Sequence, residues 1–417
     1  MLHAMSAPPG AAAGAPSPAP TVSPFTMALS LALLFGAQVL ATDVYLPALP
    51  TLARDLSAAM PAVQLTMSAF VLAYGVAQLL WGPLADRFGR QPVLRAGLAL
   101  FALASLGAAL AGDIDAVVAW RAVQGAGAAG AVVCARAMLR DVFEPQRGAH
   151  VMSQALSGLG LLAIGAPVIG GALVAAAGWR STMTLLAAYG AALLAFAVWR
   201  VPETIRVRNP QATEARALLD QFGRTLAHPV FRAWTLLVCT SYGGLMVFLA
   251  GGSFVLIDHL GLTALQCGLA LSSNSLAYVS GTVICRRLLP RRGLIGTVQR
   301  GAGFNALASV LMAWAASADA TSVWMVLVPQ WIYTLGHGVH HPCGQAGAVG
   351  PFPHAAGVAS ALTGFLLAPV AVGVTLWLGR YLNASAPGPY FAALATMSGL
   401  TSLVAWTLVQ RLRAVSP

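Results

Sequence analysis

The chain has 417 residues, of which 58% are hydrophobic and only 8% charged, and its mean hydropathy is +0.76. A soluble domain carries roughly 25% charged residues, and one water-soluble core could not hide this much apolar surface. The composition excludes an ordinary soluble enzyme or binding module and places the chain in a bilayer. Its net charge of +11 comes from 23 arginines and no lysine. In a soluble protein that charge would suggest nucleic acid; here the positions of the arginines account for it, and no nucleic-acid partner is expected.

Residues 1–24 are dominated by Ala, Pro, Ser and Gly and carry no formal charge, which predicts a disordered tail. The basic start of a signal peptide is missing, so the apolar run that follows is expected to be retained as the first membrane helix. A span needs roughly 20 apolar residues. Twelve such runs occur, near 25–50, 62–81, 93–111, 115–139, 149–175 and 179–200, then 230–256, 266–288, 295–316, 321–345, 356–380 and 389–411. This predicts two six-helix bundles, 25–200 and 230–413, joined by a linker at 201–229. Within the linker, Ala215, Leu218, Leu219, Phe222 and Leu226 recur at helical spacing, as in an amphipathic helix lying on the membrane surface. The cysteines at 134, 239, 267, 285 and 343 form no CxxC pair and read as small buried hydrophobes.

Arginine placement orients the chain. With the N-terminus in the cytoplasm, the inner side holds Arg87, Arg90, Arg95, Arg136, Arg140 and Arg147. It also holds six arginines between Arg200 and Arg232, five between Arg286 and Arg300, and Arg411 and Arg413. Only Arg54, Arg180 and Arg380 fall outside, and Arg121 sits within a span. Both termini are therefore expected in the cytoplasm.

Asp43 is the acid expected to lie well inside a span, in the outer half of the first. An ionised carboxylate there costs roughly 2.5–3.5 kcal/mol and normally faces a cavity or a partner. A carboxyl removed from water holds its proton more readily, which suits a group that takes up and releases one. Arg121 is the matching cation on the fourth span; with Gln124, Gly125, Ala128, Val132 and Ala135 it shares one helical face. Asp43 and Arg121 are expected to approach each other at similar depth, either to handle protons or as a static ion pair. Between spans two and three, the loop Gly82-Pro-Leu-Ala-Asp-Arg-Phe-Gly-Arg90 combines turn-permitting Gly82 and Gly89 with charge. Asp86 is expected to accept hydrogen bonds at a neighbouring helix N-terminus, and Arg87 and Arg90 to hold the segment at the anionic inner surface. Together they would make a bistable latch.

The fifth span carries Gly158, Gly160, Gly165, Pro167, Gly170 and Gly171, small residues that let helices pack closely around a proline bend. On the tenth, His337, His340 and His341 fall on one face, a spacing that suits cavity lining more than metal binding. Candidate cavity walls are Gln38, Tyr45, Gln124, Tyr242, Phe248, Trp331, Tyr333, His337 and His341, aromatics with few polar groups, as drug-like solutes require. No cofactor or metal is expected, and neither a nucleophile–base pair nor an HExxH motif occurs on a span.

The loop at 82–90 and the layout of six spans, basic linker and six spans resemble the major facilitator superfamily. Ala41-Thr-Asp-Val-Tyr-Leu-Pro-Ala-Leu-Pro50 is similar to the first-helix signature of its drug:proton antiporters, in particular the bicyclomycin and chloramphenicol resistance (Bcr/CflA) branch. Arg121-Ala-Val-Gln-Gly-Ala-Gly127 resembles the family's fourth-helix motif, whose arginine is linked to proton transfer. Gly165-Ala-Pro-Val-Ile-Gly-Gly171 resembles the antiporter motif of exporters, with Ala166 and Leu162 where glycine is more usual. The histidine run departs from the family pattern. The resemblance implies an all-α, twelve-helix secondary transporter and not an enzyme, acting as a monomer in the bacterial inner membrane and exchanging protons for small drug-like substrates. The alternative is a carrier for a specific metabolite, amino acid or metal complex.

Overall fold

A computed structural model describes residues 23–205, 207–318, 322–352, 355–382 and 387–412. The tail lies outside this set apart from its last two residues, as do Arg206 and Arg413. Helix α1 (Pro24–Asp43) starts where local chemistry allows it: Ser23 Oγ accepts the Thr26 N–H at 3.1 Å, and Pro24 sits where a missing N–H costs nothing. Pro47 and Pro50 stop it from continuing. The chain passes instead through a 3₁₀ turn at Leu46–Ala48 into the short α2 (Leu49–Asp55). The rest of the first half is α3 (Met60–Phe88), α4 (Arg90–Leu110), α5 (Ile114–Val142), α6 (Pro145–Ala177) and α7 (Arg180–Arg200).

Linker helix α8 (Ala215–Ala227) packs on two helices of the second half, α9 (Pro229–Phe254) and α12 (Ala356–Tyr381). Its Phe222 joins the apolar cluster there, while Leu219 and Leu226 stay exposed. Between them lie α10 (Ala264–Ser317) and α11 (Val323–Val349); α13 (Gly388–Trp406) and α14 (Leu408–Arg411) close the chain. The expected eighth and ninth spans form one continuous rod, α10, bent at Gly293, whose φ of +63° favours glycine.

With the two limbs of α10 counted separately, twelve membrane helices fall into two sets of six, as expected, and the described residues contain no strand. Nine helical segments among them are both long and apolar enough to cross a bilayer by themselves. The limbs of α10 and α11 fall short because they carry polar side chains such as Ser272, Asn274, Asn305, Gln330 and His340, all of them buried. The outer surface is apolar: Leu103, Leu161, Trp199, Val310, Trp314 and Trp324 are all exposed, as lipid contact requires. All five cysteines are buried and free.

The halves meet along two seams, α3 against α12 and α6 against α10. The end of the bundle carrying Asp86 and Arg90 is here the basic side, and the opposite end the far side. On the far side the seams are tight. Gln64 Nε2 donates to the Ala250 carbonyl at 2.8 Å, Ser68 and Thr375 share a hydrogen bond, and Arg54 pairs with Asp258 at 3.3 Å. A Cβ on Gly171 would collide with the Ala264 carbonyl across the α6–α10 seam, and one on Gly170 with the Val44 carbonyl within the first half. Further in, Ser272 and Ser275 donate to the carbonyls of Ile164 (2.6 Å) and Ala163 (3.1 Å). Toward the basic side, α6 leaves Ser153, Gln154 and Ser157 exposed.

Candidate functional site

Helix α5 carries Arg121 into the interior of the first half, where it is fully buried. A guanidinium taken out of water needs every donor occupied. Its Nη1 donates to the Ala41 carbonyl (2.9 Å) and Gln124 Oε1 (2.5 Å), and its Nε to the Thr66 carbonyl (3.4 Å). The rings of Tyr45 and Phe70 sandwich its plane, with centroids 4.5 and 4.4 Å from Cζ, a cation–π arrangement that strengthens on desolvation. Supporting this cage, Gln124 Nε2 donates to Ser105 Oγ (2.6 Å) and Tyr45 Oη to Thr66 Oγ1 (2.8 Å).

Asp43 is not part of the cage. Among the described residues it makes no ion pair with Arg121, contrary to the expected approach of the two. The reason is helical phase: the Ala41 carbonyl, near the end of α1, and the Tyr45 ring, just past that end, both meet Arg121, and residue 43, two positions on from Ala41, falls about 200° away around the axis. Asp43 is half-buried at the last turn of α1. Its carboxyl accepts from Thr42 Oγ1 (2.9 Å) and lies within electrostatic range of Tyr242 on α9, in the other half.

The loop at 82–90 is shorter than expected, because α3 runs through Pro83 to Phe88 and α4 starts at Arg90. Gly89 makes the turn between them at φ +108°, a conformation that costs glycine nothing. Here too the partners differ from expectation. Asp86 pairs with the Arg90 guanidinium one turn on, and Arg90 Nε also donates to Asp141 Oδ2 at the end of α5 (2.9 Å). The N-terminus of α4 is capped instead by Glu203, whose carboxylate accepts the N–H groups of Arg90 (3.0 Å) and Gln91 (3.2 Å), where the helix dipole favours an anion. Thr204 Oγ1 donates to Asp141 (3.0 Å), Arg87 Nη1 to Thr213 Oγ1 (2.6 Å), and the Asn209 N–H to the Asp86 carbonyl (3.0 Å). Removing the cap charge with Glu203→Gln is expected to cost about 1 kcal/mol, read as a lower apparent melting temperature in detergent at unchanged expression.

Of the expected cavity walls, Gln38, Tyr242, Trp331 and His341 are half-buried. Tyr45, Gln124, Phe248 and Tyr333 are fully buried and serve their own half. Tyr45 and Gln124 enclose Arg121, and Tyr333 donates to the Ser241 carbonyl. Two of the three imidazoles stay together, His337 and His341 with ring centroids 5.4 Å apart, while His340 turns to a different partner. His337 Nδ1 pairs with Ser241 Oγ (2.8 Å), His340 Nε2 with the Val298 carbonyl (3.1 Å), and His341 Nδ1 lies 3.5 Å from Tyr278 Oη. No trio of His, Cys, Asp or Glu among the described residues could hold a metal. On α6, Gly170 and Gly171 are close-packed and the Pro167 carbonyl lies against Gly268, but Gly165 meets only its own neighbour Ile169.

A family model described as "Major Facilitator Superfamily" matches residues 31–375. Multidrug resistance protein D of Escherichia coli (strain K12) is 31% identical over 379 residues, covering 91% of this chain and 94% of that one. The chain belongs to the major facilitator superfamily. Within it, the chain is also similar to a chloramphenicol resistance protein of Pseudomonas aeruginosa, 28% identical and covering 84% and 81% of the two chains. A bicyclomycin resistance protein homolog of Haemophilus influenzae is 26% identical, with 82% and 86% covered. These relatives bear out the resemblance to the bicyclomycin and chloramphenicol resistance branch. Among solved structures, the inward open conformation of the xylose transporter XylE from E. coli superposes with a TM-score of 0.73 at 16% identity, covering 95% and 100%, which speaks to the fold alone.

A member of this superfamily is a transporter of small molecules in a lipid bilayer and not an enzyme. Sequence reading missed three groups in it. Asp141 and Glu203 complete the charged cluster at the basic side, and their signals were Arg140-Asp141 at a span's end and Pro202-Glu203-Thr204 at the linker's start. The third group, around Arg136, was hidden because that arginine counts as a loop residue when charges are tallied.

Proposed function

We propose that this protein exports small drug-like compounds across the bacterial inner membrane in exchange for protons. The observation that carries the reading is Asp43, a half-buried carboxyl at the break of α1, near Tyr242 of the other half and free of any ion pair among the described residues. A group so placed can be occupied by a proton or by substrate but is not committed to a structural cation. The drug-resistance names of the relatives support the substrate class. Close packing of Gly170 and Gly171 supports the exporter reading of the α6 motif.

Arginine distribution puts the basic side and both termini in the cytoplasm. Asp86, Arg90 and Asp141 then form the latch, holding while the far side is closed and releasing as the halves rock. Every element of the pathway comes from one chain, so a monomer suffices.

The test is efflux of ethidium and of chloramphenicol from pump-deficient cells expressing the protein, with and without an uncoupler. Efflux of at least one that collapses on uncoupling is expected. Efflux indifferent to the uncoupler would sink the proton-driven reading, and none at all would favour a dedicated metabolite carrier.

A further inference from the structure

Helix α5 carries a second arginine, Arg136, whose position does not fit membrane anchoring. It lies six residues before Val142, the end of the helix, about 9 Å in along the axis. An anchoring arginine extends outward to head groups. Arg136 instead projects between the two halves. Its Cζ lies 5.8 Å from the Phe35 ring on α1, and its Nη1 reaches Ser360 Oγ on α12 at 3.5 Å, the outer limit of a hydrogen bond. Tyr74 on α3 and His341 on α11 are within its electrostatic range, and Tyr278 on α10 backs His341. Five helices, three from the first half and two from the second, thus bring hydroxyl, imidazole and aromatic groups near one guanidinium, with Tyr278 of α10 behind His341.

That guanidinium is exposed and has no ion pair among the described residues. It has five N–H donors in a planar fork, and Ser360 engages one weakly. The acids of the neighbouring charged cluster are already used: Asp86 and Asp141 both bind Arg90, and Glu203 caps α4. Asp43 lies on the first-half wall by Tyr242, which is also in range of Tyr74. The pathway therefore offers an unused, fork-shaped donor set with polar and aromatic flanks and no acid committed to it.

We propose that Arg136, flanked by Tyr74, His341 and Ser360, binds an oxyanion head group (carboxylate, sulfonate or phosphonate) of the transported compound. The protein then favours amphipathic acids over cations of the same apolar body. The fork geometry matches two oxyanion oxygens at once, and Phe35 supplies a face for the apolar part. A cation would meet the guanidinium's repulsion before it reached Asp43. The inference rests on the transporter reading above and names the solute class of the same pathway.

Binding to the purified full-length protein tests it without any proton gradient. Three probes share one ring system and differ in head group: 1-naphthaleneacetate, 1-naphthaleneacetamide and 1-naphthylmethylammonium, each titrated calorimetrically. The wild type should bind the acetate at least tenfold tighter than the ammonium. Arg136→Gln should lose at least tenfold for the acetate and less than threefold for the amide, and Arg136→Lys should retain part of the preference. Should Arg136→Gln fail to fold, His341→Gln and Tyr74→Phe must each narrow the acetate-to-amide ratio. A wild type without preference for the acetate, no binding of any probe at millimolar concentration, or a variant that weakens all three equally would overturn the proposal. Failure of the transporter reading shows separately, as absent uncoupler-sensitive efflux in cells expressing the wild type.

Discussion

Asp43→Asn is expected to reduce uncoupler-sensitive efflux at least tenfold while leaving the protein folded and able to exchange substrate. Asparagine keeps the shape of the side chain and still accepts the Thr42 hydroxyl, which lies 2.9 Å from the carboxyl. The structural cost is therefore that of one polar contact, about 1 kcal/mol or less. What disappears is the ability to gain and lose a proton where α1 faces Tyr242. Transport up a gradient should stop, but counterflow, in which labelled substrate exchanges with unlabelled across proteoliposomes, needs no proton and should persist. An asparagine variant with native proton-driven efflux would remove Asp43 from the mechanism. Loss of both efflux and counterflow would instead mark the residue as part of the fold or of substrate binding.

Substitutions at Arg121 are expected to fail differently, by loss of the folded first half. Arg121→Met leaves the Ala41 carbonyl and Gln124 Oε1 buried without their donor, at roughly 1–3 kcal/mol for each orphaned group, while the Thr66 carbonyl, inside α3, keeps its helical N–H. It also strips the cation from between Tyr45 and Phe70, worth about 2 kcal/mol when desolvated. A net loss of about 3–5 kcal/mol follows once some of the groups find new partners. Arg121→Lys should rescue only part, because one ammonium cannot reach three acceptors on α1, α3 and α5 in the fork geometry. The readout is monodisperse yield and apparent melting temperature in mild detergent, with a fall of about 10 °C expected for the methionine variant. A methionine variant that melts like the wild type would show the cage to be dispensable for the fold and return Arg121 to the proton pathway.

These two residues show where sequence reading succeeds and where it stops. Apolar runs are legible because a bilayer imposes a length and a composition on each span, and the twelve helices follow. Even the limbs of α10, despite their buried polar side chains, stood out as apolar runs at 266–288 and 295–316. Partner choice was not legible. Asp43 and Arg121 are the opposite charges that the sequence places inside spans of the first half, yet two positions of helical phase separate Asp43 from the face that meets Arg121. Asp86 was assigned a helix-capping role that Glu203 performs, because the cap comes from 113 positions away and no local pattern announces it. Arg136 was grouped with its neighbours at the end of α5, since a charge tally records depth along the chain but not which face of the helix the side chain leaves.

The linker has a mechanical consequence. Its first part is fastened to the first half by Glu203, Thr204, the Asn209 N–H and the Arg87–Thr213 contact. Its last part, α8, is fastened to the second half through α9 and α12. The free tether between the halves is thus only the segment from Thr213 to Ala215, which at full stretch reaches about 7 Å. Any parting of the basic ends beyond that slack pulls on Thr213 and, through Arg87 and Asn209, on the turn at Gly89. The cord that joins the two halves is short enough to act as a ripcord, so the stroke length of the rocking motion and the release of the Asp86–Arg90–Asp141 cluster are set by the same few residues.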